Sequence, residues 1–161
     1  MSNSSQTLVL DATDLRLLDL LQRDAALSNQ DLALAAHVSP ATGLRRVKRL
    51  TEMGIIERRV ALLNADKLGA SLSAIVEITL DRQGAEHLAA FETKVQADAA
   101  VQQCYRVSPG PDFVLILQVP DMLAYHGLVQ RLFTQDANVR NVKTFFSVHR
   151  AKFDPRITLP G

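Results

Sequence analysis

Ser39 to Ile56 reads SPATGLRRVKRLTEMGII. Ser39 is a good N-cap, and Pro40 stands at the first helical position, where its missing N–H costs nothing. Leu44, Val47 and Leu50 recur every three residues, which predicts one apolar stripe with Arg45, Arg46, Lys48 and Arg49 on the remaining faces. Gly54 then ends the helix, as a C-terminal glycine at positive φ does. Four cations on a short, sharply capped helix suit a reader of the DNA major groove, because phosphates reward positive charge and base edges reward arginine. The same pattern also describes a plain solvated face, so the flanking segments decide between the two.

Upstream, Asp11 is placed to cap a first helix, with Asp14 in its positive first turn and Leu15, Leu18 and Leu21, Leu17 beside them, as its buried stripe. Ser28 caps a second helix, and Asp31 three residues on resembles a capping box. Leu32, Ala35 and Ala36 are expected to form its inner face, and His37 and Val38 the turn into the basic helix. Three short helices with the last one basic make a helix-turn-helix, whose expected partner is double-stranded DNA. Met1 to Thr7, polar and small, is expected to fray.

Downstream, Ile55 to Leu63 (IIERRVALL) alternates as a short extended segment would. It reads either as a wing that brings Arg58 and Arg59 to the phosphate backbone or as an exit strand with solvated arginines. The turn-rich NADKLG that follows places a hinge at 64–70, between a DNA-binding domain at 1–63 and a second domain at 71–161. From Leu72 the period becomes two. Strands are expected at Leu72–Leu80, Val101–Val107, Phe113–Val119 and Val139–Val148. Helices are expected at Ala85–Ala97, with Leu88, Phe91 and Val95 inward, and from Asp121, with Tyr125, Leu128, Val129 and Leu132 on one face. The nearly all-apolar third strand should be central and covered on both faces. The order β-α-β-β-α-β is ferredoxin-like, so the fold class is α+β, a winged helix-turn-helix followed by a ferredoxin-like domain. The sheet's uncovered face predicts a homodimer partner. The tail from Ala151 is expected to pack back on the second domain.

Composition narrows the function classes. Net charge is +1 over 161 residues, yet residues 37–59 hold six Lys/Arg against Glu52 and Glu57, which points to one localised anionic contact. The single cysteine, Cys104, excludes an internal disulfide and a cysteine-rich zinc site and reads as a small buried hydrophobe. No stretch is apolar enough for a membrane span and no signal peptide is visible, so a cytoplasmic, nucleoid-associated protein is expected. The four histidines lie far apart, and no P-loop, GxSxG or paired-carboxylate pattern occurs. Neither a metal, a cofactor nor an enzymatic activity is expected.

LDATD at Leu10–Asp14, VSPATGLRRVKRL at Val38–Leu50, GIIERRVALLNADKLG at Gly54–Gly69 and VRNVKTFFSVHRAKF at Val139–Phe153 together resemble the Lrp/AsnC (leucine-responsive, feast/famine) regulators over nearly the whole chain. The resemblance implies a sequence-specific transcriptional regulator whose assembly or DNA affinity is tuned by a small-molecule effector, usually an amino acid. It also implies dimers joined through the sheet and often assembled into octamers, with the effector near the turn between the second and third strands. Two other readings share the layout: an architectural, chromosome-organising DNA-binding protein, and a sirohaem-decarboxylase-like enzyme, which has no use for a basic helix.

Two positions depart from the family pattern. Gly43 stands where the family usually has a small or branched core residue, and is expected to cost about 1 kcal/mol of helix propensity and leave a small void. In the effector turn, Ser108-Pro109-Gly110-Pro111-Asp112 replaces the common Gly-x-x-Asp, and its two prolines remove two backbone donors. Among candidate DNA contacts, Thr42, Arg45, Arg46 and Arg49 share one helical face, Ser28, Asn29, Ser39 and Pro40 lie at helix starts, and Arg58 and Arg59 follow the helix. For Arg46 the family's pattern implies a second role, pairing with a neighbouring helix to organise the fold. Candidate effector residues are Tyr105, Ser108, Gly110 and Asp112, with Thr144 and Phe146 across an interface. Asp112 could hold an α-amino group or accept local backbone hydrogen bonds.

Overall fold

Local chemistry sets the helix ends. The computed structural model describes residues 10–69 and 71–160, so the Met1–Thr7 start lies outside the described residues. Helix α1 spans Ala12–Arg23, opened by a reciprocal capping box in which Asp11 accepts from the Asp14 N–H and the Asp14 carboxylate accepts from the Asp11 N–H. Helix α2 spans Asn29–Ala35 behind Ser28, and α3 spans Pro40–Glu52 behind Ser39. Both α2 and α3 end in Schellman turns. Val38 N–H donates to Ala33 O and His37 N–H to Leu34 O after α2; Ile55 N–H donates to Leu50 O and Gly54 N–H to Thr51 O after α3. The left-handed position is Gly54 (φ 73°) in the second turn and His37 (φ 58°) in the first.

The chain divides into two compact units, Met1–Leu62 with Lys152–Gly161, and Leu63–Ala151. In the first, Leu17, Leu21, Leu32, Ala36 and Val47 form the core, with Ile56 packed against it. Two expected faces shift. Ala33, not Ala35, is buried on α2, and Gly43, Val47 and Leu50 are buried on α3 while Leu44 is exposed. The reason is that α2 and α3 approach so closely that even a methyl would be crowded: a Cβ built on Gly43 would stand 3.3 Å from Ala33 Cβ. There is accordingly no void at Gly43, and the glycine is the contact. The helix is phased by its smallest residue, and the leucine beside it turns outward. Arg16 Nε donates to Ala36 O at 3.3 Å, tying α1 to the end of α2.

No strand forms over Ile55–Leu63. Extended backbone becomes a wing only with a ladder partner, and no described segment pairs with it, so Arg58 and Arg59 are simply exposed. The tail also differs from expectation: Lys152–Gly161 groups with the first unit, where the Gln22 side-chain amide both donates to Ile157 O and accepts from Ile157 N–H, each at 3.1 Å.

In the second unit, β1 (Leu72–Leu80), α4 (Ala85–Gln96), β2 (Val101–Arg106), β3 (Phe113–Val119), α5 (Met122–Val129) and β4 (Val139–Phe146) give an antiparallel sheet ordered β2-β3-β1-β4. Ala74, Val76, Ile78 and Leu80 of β1 and Phe113, Leu115, Leu117 and Val119 of β3 are buried against the helices. Strand β3 is central, and within one chain its other face is half-buried through Val114 and Ile116. A π-turn over Gln130–Thr134 extends α5, with Gln135 N–H reaching back to Gln130 O. Its extra residue per turn lets both Leu132 and Phe133 point inward, a burial that a 3.6-residue period does not reveal.

Candidate nucleic-acid interface and effector turn

Helix α3 presents two different basic surfaces. On the side turned to α1, the Asp14 carboxylate is 1% exposed and accepts from Arg46 Nη1 at 2.9 Å and Arg49 Nη2 at 2.5 Å. Arg46 Nη1 also reaches Asp11 Oδ2 at 2.6 Å. This hydrogen bond from Arg46 is the main cause that holds the Asp11 carboxyl below its ordinary range, and its ion pairs with Asp11 and Asp14 raise the Arg46 guanidinium. A carboxylate inside a helix pair is retained only when its charge is matched, and here two guanidiniums match it. Asp11, Arg45, Arg46 and Arg49 line a shallow cleft of about 140 Å3.

The side opposite the core is different. Ala41, Leu44, Arg45 and Lys48 stand at i, i+3, i+4 and i+7, and all four are exposed. Of the face expected from sequence, Arg45 alone is both exposed and without an ion pair to α1. Thr42 is half-buried and its hydroxyl takes a hydrogen bond from Ser39 Oγ at 2.9 Å. Arg46 and Arg49 are drawn to Asp14, which is the pairing role the sequence left open for Arg46. Lys48 stands three residues past Arg45 on this face, and its ammonium lies 3.8 Å from Glu52 at the surface.

The candidates at helix starts are engaged in building the motif. Ser28 Oγ accepts from Asp31 N–H at 3.1 Å, and Ser39 Oγ from Thr42 N–H at 3.3 Å. Asn29 Nδ2 donates to Pro40 O at 3.0 Å, pinning the start of α2 to the start of α3. At the start of α3, Pro40 has no N–H and those of Thr42 and Gly43 are bonded to Ser39, which leaves the Ala41 N–H for a phosphate oxygen.

In the second unit, the turn Ser108–Asp112 follows β2, with Gly110 at φ 124°. Asp112 is bound into the sheet: its Oδ2 accepts from Leu80 N–H at 2.7 Å and Gln83 Nε2 at 3.2 Å, while its own N–H donates to Ile78 O at 2.8 Å. Ser108 and Gly110 are exposed. Tyr105 Oη donates to Gln103 Oε1 at 2.8 Å on the exposed side of β2. Thr144 and Phe146 are not brought to this turn within one chain. They lie on β4, at the opposite edge, where Thr144 Oγ1 is 2.6 Å from Tyr125 Oη and the Phe146 ring meets Tyr125 edge-on at 4.9 Å. Cys104 is half-buried, and burial first, then the Glu92 charge, pushes its thiol up. A raised thiol is a poor nucleophile.

Comparison with known proteins follows the same division. The family model for the Lrp/AsnC ligand binding domain matches residues 73–157, and a winged helix-turn-helix DNA-binding model matches residues 10–57. The leucine-responsive regulatory protein of Escherichia coli K12 is 36% identical over 150 residues, 93% of this chain and 92% of that protein. An AsnC family transcriptional regulator from Agrobacterium tumefaciens superposes with a TM-score of 0.84 at 30% identity, covering 92% of this chain and 97% of that one. A transcriptional regulator from Neisseria meningitidis, solved as an L-Met complex, also gives 0.84, at 25% identity over 93% of this chain and 97% of that one.

Proposed function

The chain belongs to the Lrp/AsnC family of transcriptional regulators, and on that premise we propose that it works as a homo-oligomer on double-stranded DNA under the control of an amino acid or a close relative. It is a ligand-modulated DNA-binding regulator, and its domains and relatives are those of regulators rather than enzymes. The observation that carries the DNA-binding role is the exposed face of α3, where Arg45 and Lys48 stand outward one turn past a capped helix start. Phosphate contacts are assigned to Arg45, Lys48, Arg58, Arg59 and the α3 N-terminus around Ser39, and base contact to the outward side of the first two turns of α3.

An amino-acid effector is supported by the ligand-binding family model and by the L-Met bound to the Neisseria relative. The turn Ser108–Asp112, with Tyr105 beside it, is the proposed contact for its charged end. Because Asp112 already accepts from Leu80 N–H, it shapes the turn, and Ser108 and Gly110 are left to meet the ligand. Thr144 and Phe146 reach such a ligand only from a neighbouring copy. A homodimer is supported by the open sheet face, where Ile75 and Phe145, paired in register, lie beside half-buried Val114 and Ile116. The effector acts by favouring one assembly over another and so respacing the DNA-binding heads. No helix among the described residues is long and apolar enough to cross a membrane, and the proposed site of action is the cytoplasmic nucleoid.

The test is a gel shift on DNA flanking the protein's own gene against a scrambled duplex, with and without each common amino acid. Preferential binding altered by one amino acid supports the reading. Preference without any amino-acid response overturns the effector class. Equal affinity for both duplexes favours a chromosome-organising role instead.

A further inference from the structure

We infer that Leu44 is a sequence-reading residue that contacts the methyl group of a thymine in the major groove. The inference rests on the DNA-binding role proposed for α3. Leu44 is the fifth residue of α3 and is 60% exposed. A single exposed leucine is ordinary on a protein surface. What distinguishes this one is its surroundings. The buried face of α3 is Gly43, Val47 and Leu50, so the face pointing away from the domain is Ala41, Leu44, Arg45 and Lys48. Leu44 therefore lies between an exposed methyl at Ala41 and two cations at Arg45 and Lys48.

That mixture fits a base-edge surface. Cations at Arg45 and Lys48 draw the helix to the phosphates, and the N-terminal half of a second helix in this motif is the part that meets base edges. Among the four bases, thymine alone offers a methyl group in the major groove, and apolar side chains are the groups that recognise it. An apolar patch of Ala41 and Leu44 has no hydrogen bond to offer guanine, cytosine or adenine. The exposure of Leu44 is itself enforced, because the close approach of Gly43 to Ala33 fixes the rotation of the helix.

Thymidine and deoxyuridine differ only by that methyl, which gives a direct test. A duplex selected from a random pool by the wild-type protein is resynthesised with each thymine replaced in turn by deoxyuridine. One replacement should weaken wild-type binding about three- to fivefold, the size expected for one buried methyl. Leu44→Ala should lose about as much on the thymine duplex, no longer distinguish thymine from deoxyuridine at that position, and keep the wild-type dependence on salt. Alanine at an exposed helical position keeps the fold. Wild-type indifference to every replacement, or discrimination that survives in Leu44→Ala, overturns the inference and leaves the DNA-binding role standing. A pool that yields no enriched sequence overturns the sequence-specific role itself.

Discussion

Gly43 and Ala33 are in contact so close that a methyl group added to the glycine would lie 3.3 Å from the methyl of the alanine. Gly43→Ala gains about 1 kcal/mol of helix propensity and gives up a comparable amount to the crowding, so its urea midpoint should stay near that of the wild type. Gly43→Val adds two further carbons with no space to receive them and should destabilise by about 1–3 kcal/mol. A Val variant as stable as the wild type would show that α2 and α3 are free to separate.

Asp14 holds the side of α3 that is turned to α1. Asp14→Ala removes the buried carboxylate that binds Arg46 and Arg49 and answers the Asp11 N–H. It should cost about 3 kcal/mol in chemical denaturation, because Arg49 loses its carboxylate and Arg46 one of its two.

The two kinds of arginine on α3 should separate in salt titrations of DNA binding. Arg45→Ala weakens binding and, where the lost contact is a phosphate, reduces the salt slope by about 1. Arg46→Ala acts through the helix pair, so protein stability falls while the salt slope of the folded fraction is kept. Equal changes in slope for the two variants would place Arg46 on the DNA.

Acid should loosen the first unit as the pH falls below the ordinary carboxylate value. Arg46 lowers the folded pKa of Asp11, and Arg156 lowers that of Asp154 to about 2. The unfolded chain therefore binds more protons than the folded one as pH drops below the ordinary carboxylate value, so this stabilisation is present above that value and is lost on acidification. Asp11→Asn keeps a good N-cap but not the charge. Denaturation midpoints measured between about pH 3 and pH 7 should fall less steeply for it than for the wild type.

The Gln22–Ile157 pair is exposed and modest, so Gln22→Ala should change global stability by less than about 1 kcal/mol. The change should instead be local. Hydrogen exchange at the Ile157 amide should speed up, and a tail exchanging at its wild-type rate would mean that another contact holds it.

Much of this molecule could be read along the chain because the relevant physics is short-range. Asp11, Ser28, Ser39 and Gly54 cap or stop helices through bonds to residues within a few positions, and all four do so as the sequence indicates. The alternation in β1 and the order of elements likewise settled the sheet. What stayed hidden depended on partners distant in sequence. The rotation of α3 is set by Ala33, ten positions before Gly43, so a count of large apolar residues placed Leu44 inside. Asp112 is bound by an N–H thirty-two residues earlier, and Arg49 by a carboxylate on another helix. The absence of a wing strand has the same origin, since a strand needs a neighbour that the segment itself does not encode.

The division of the chain has a consequence for its synthesis. Residues 63–151 build the whole second unit, and Lys152–Gly161 then returns to the first. On the ribosome the three helices emerge early, yet the segment that clasps Gln22 is translated only after the sheet has been made. The head that meets DNA is thus begun first and completed after the domain that controls it, and a nascent chain interrupted within the sheet carries three helices without their clasp.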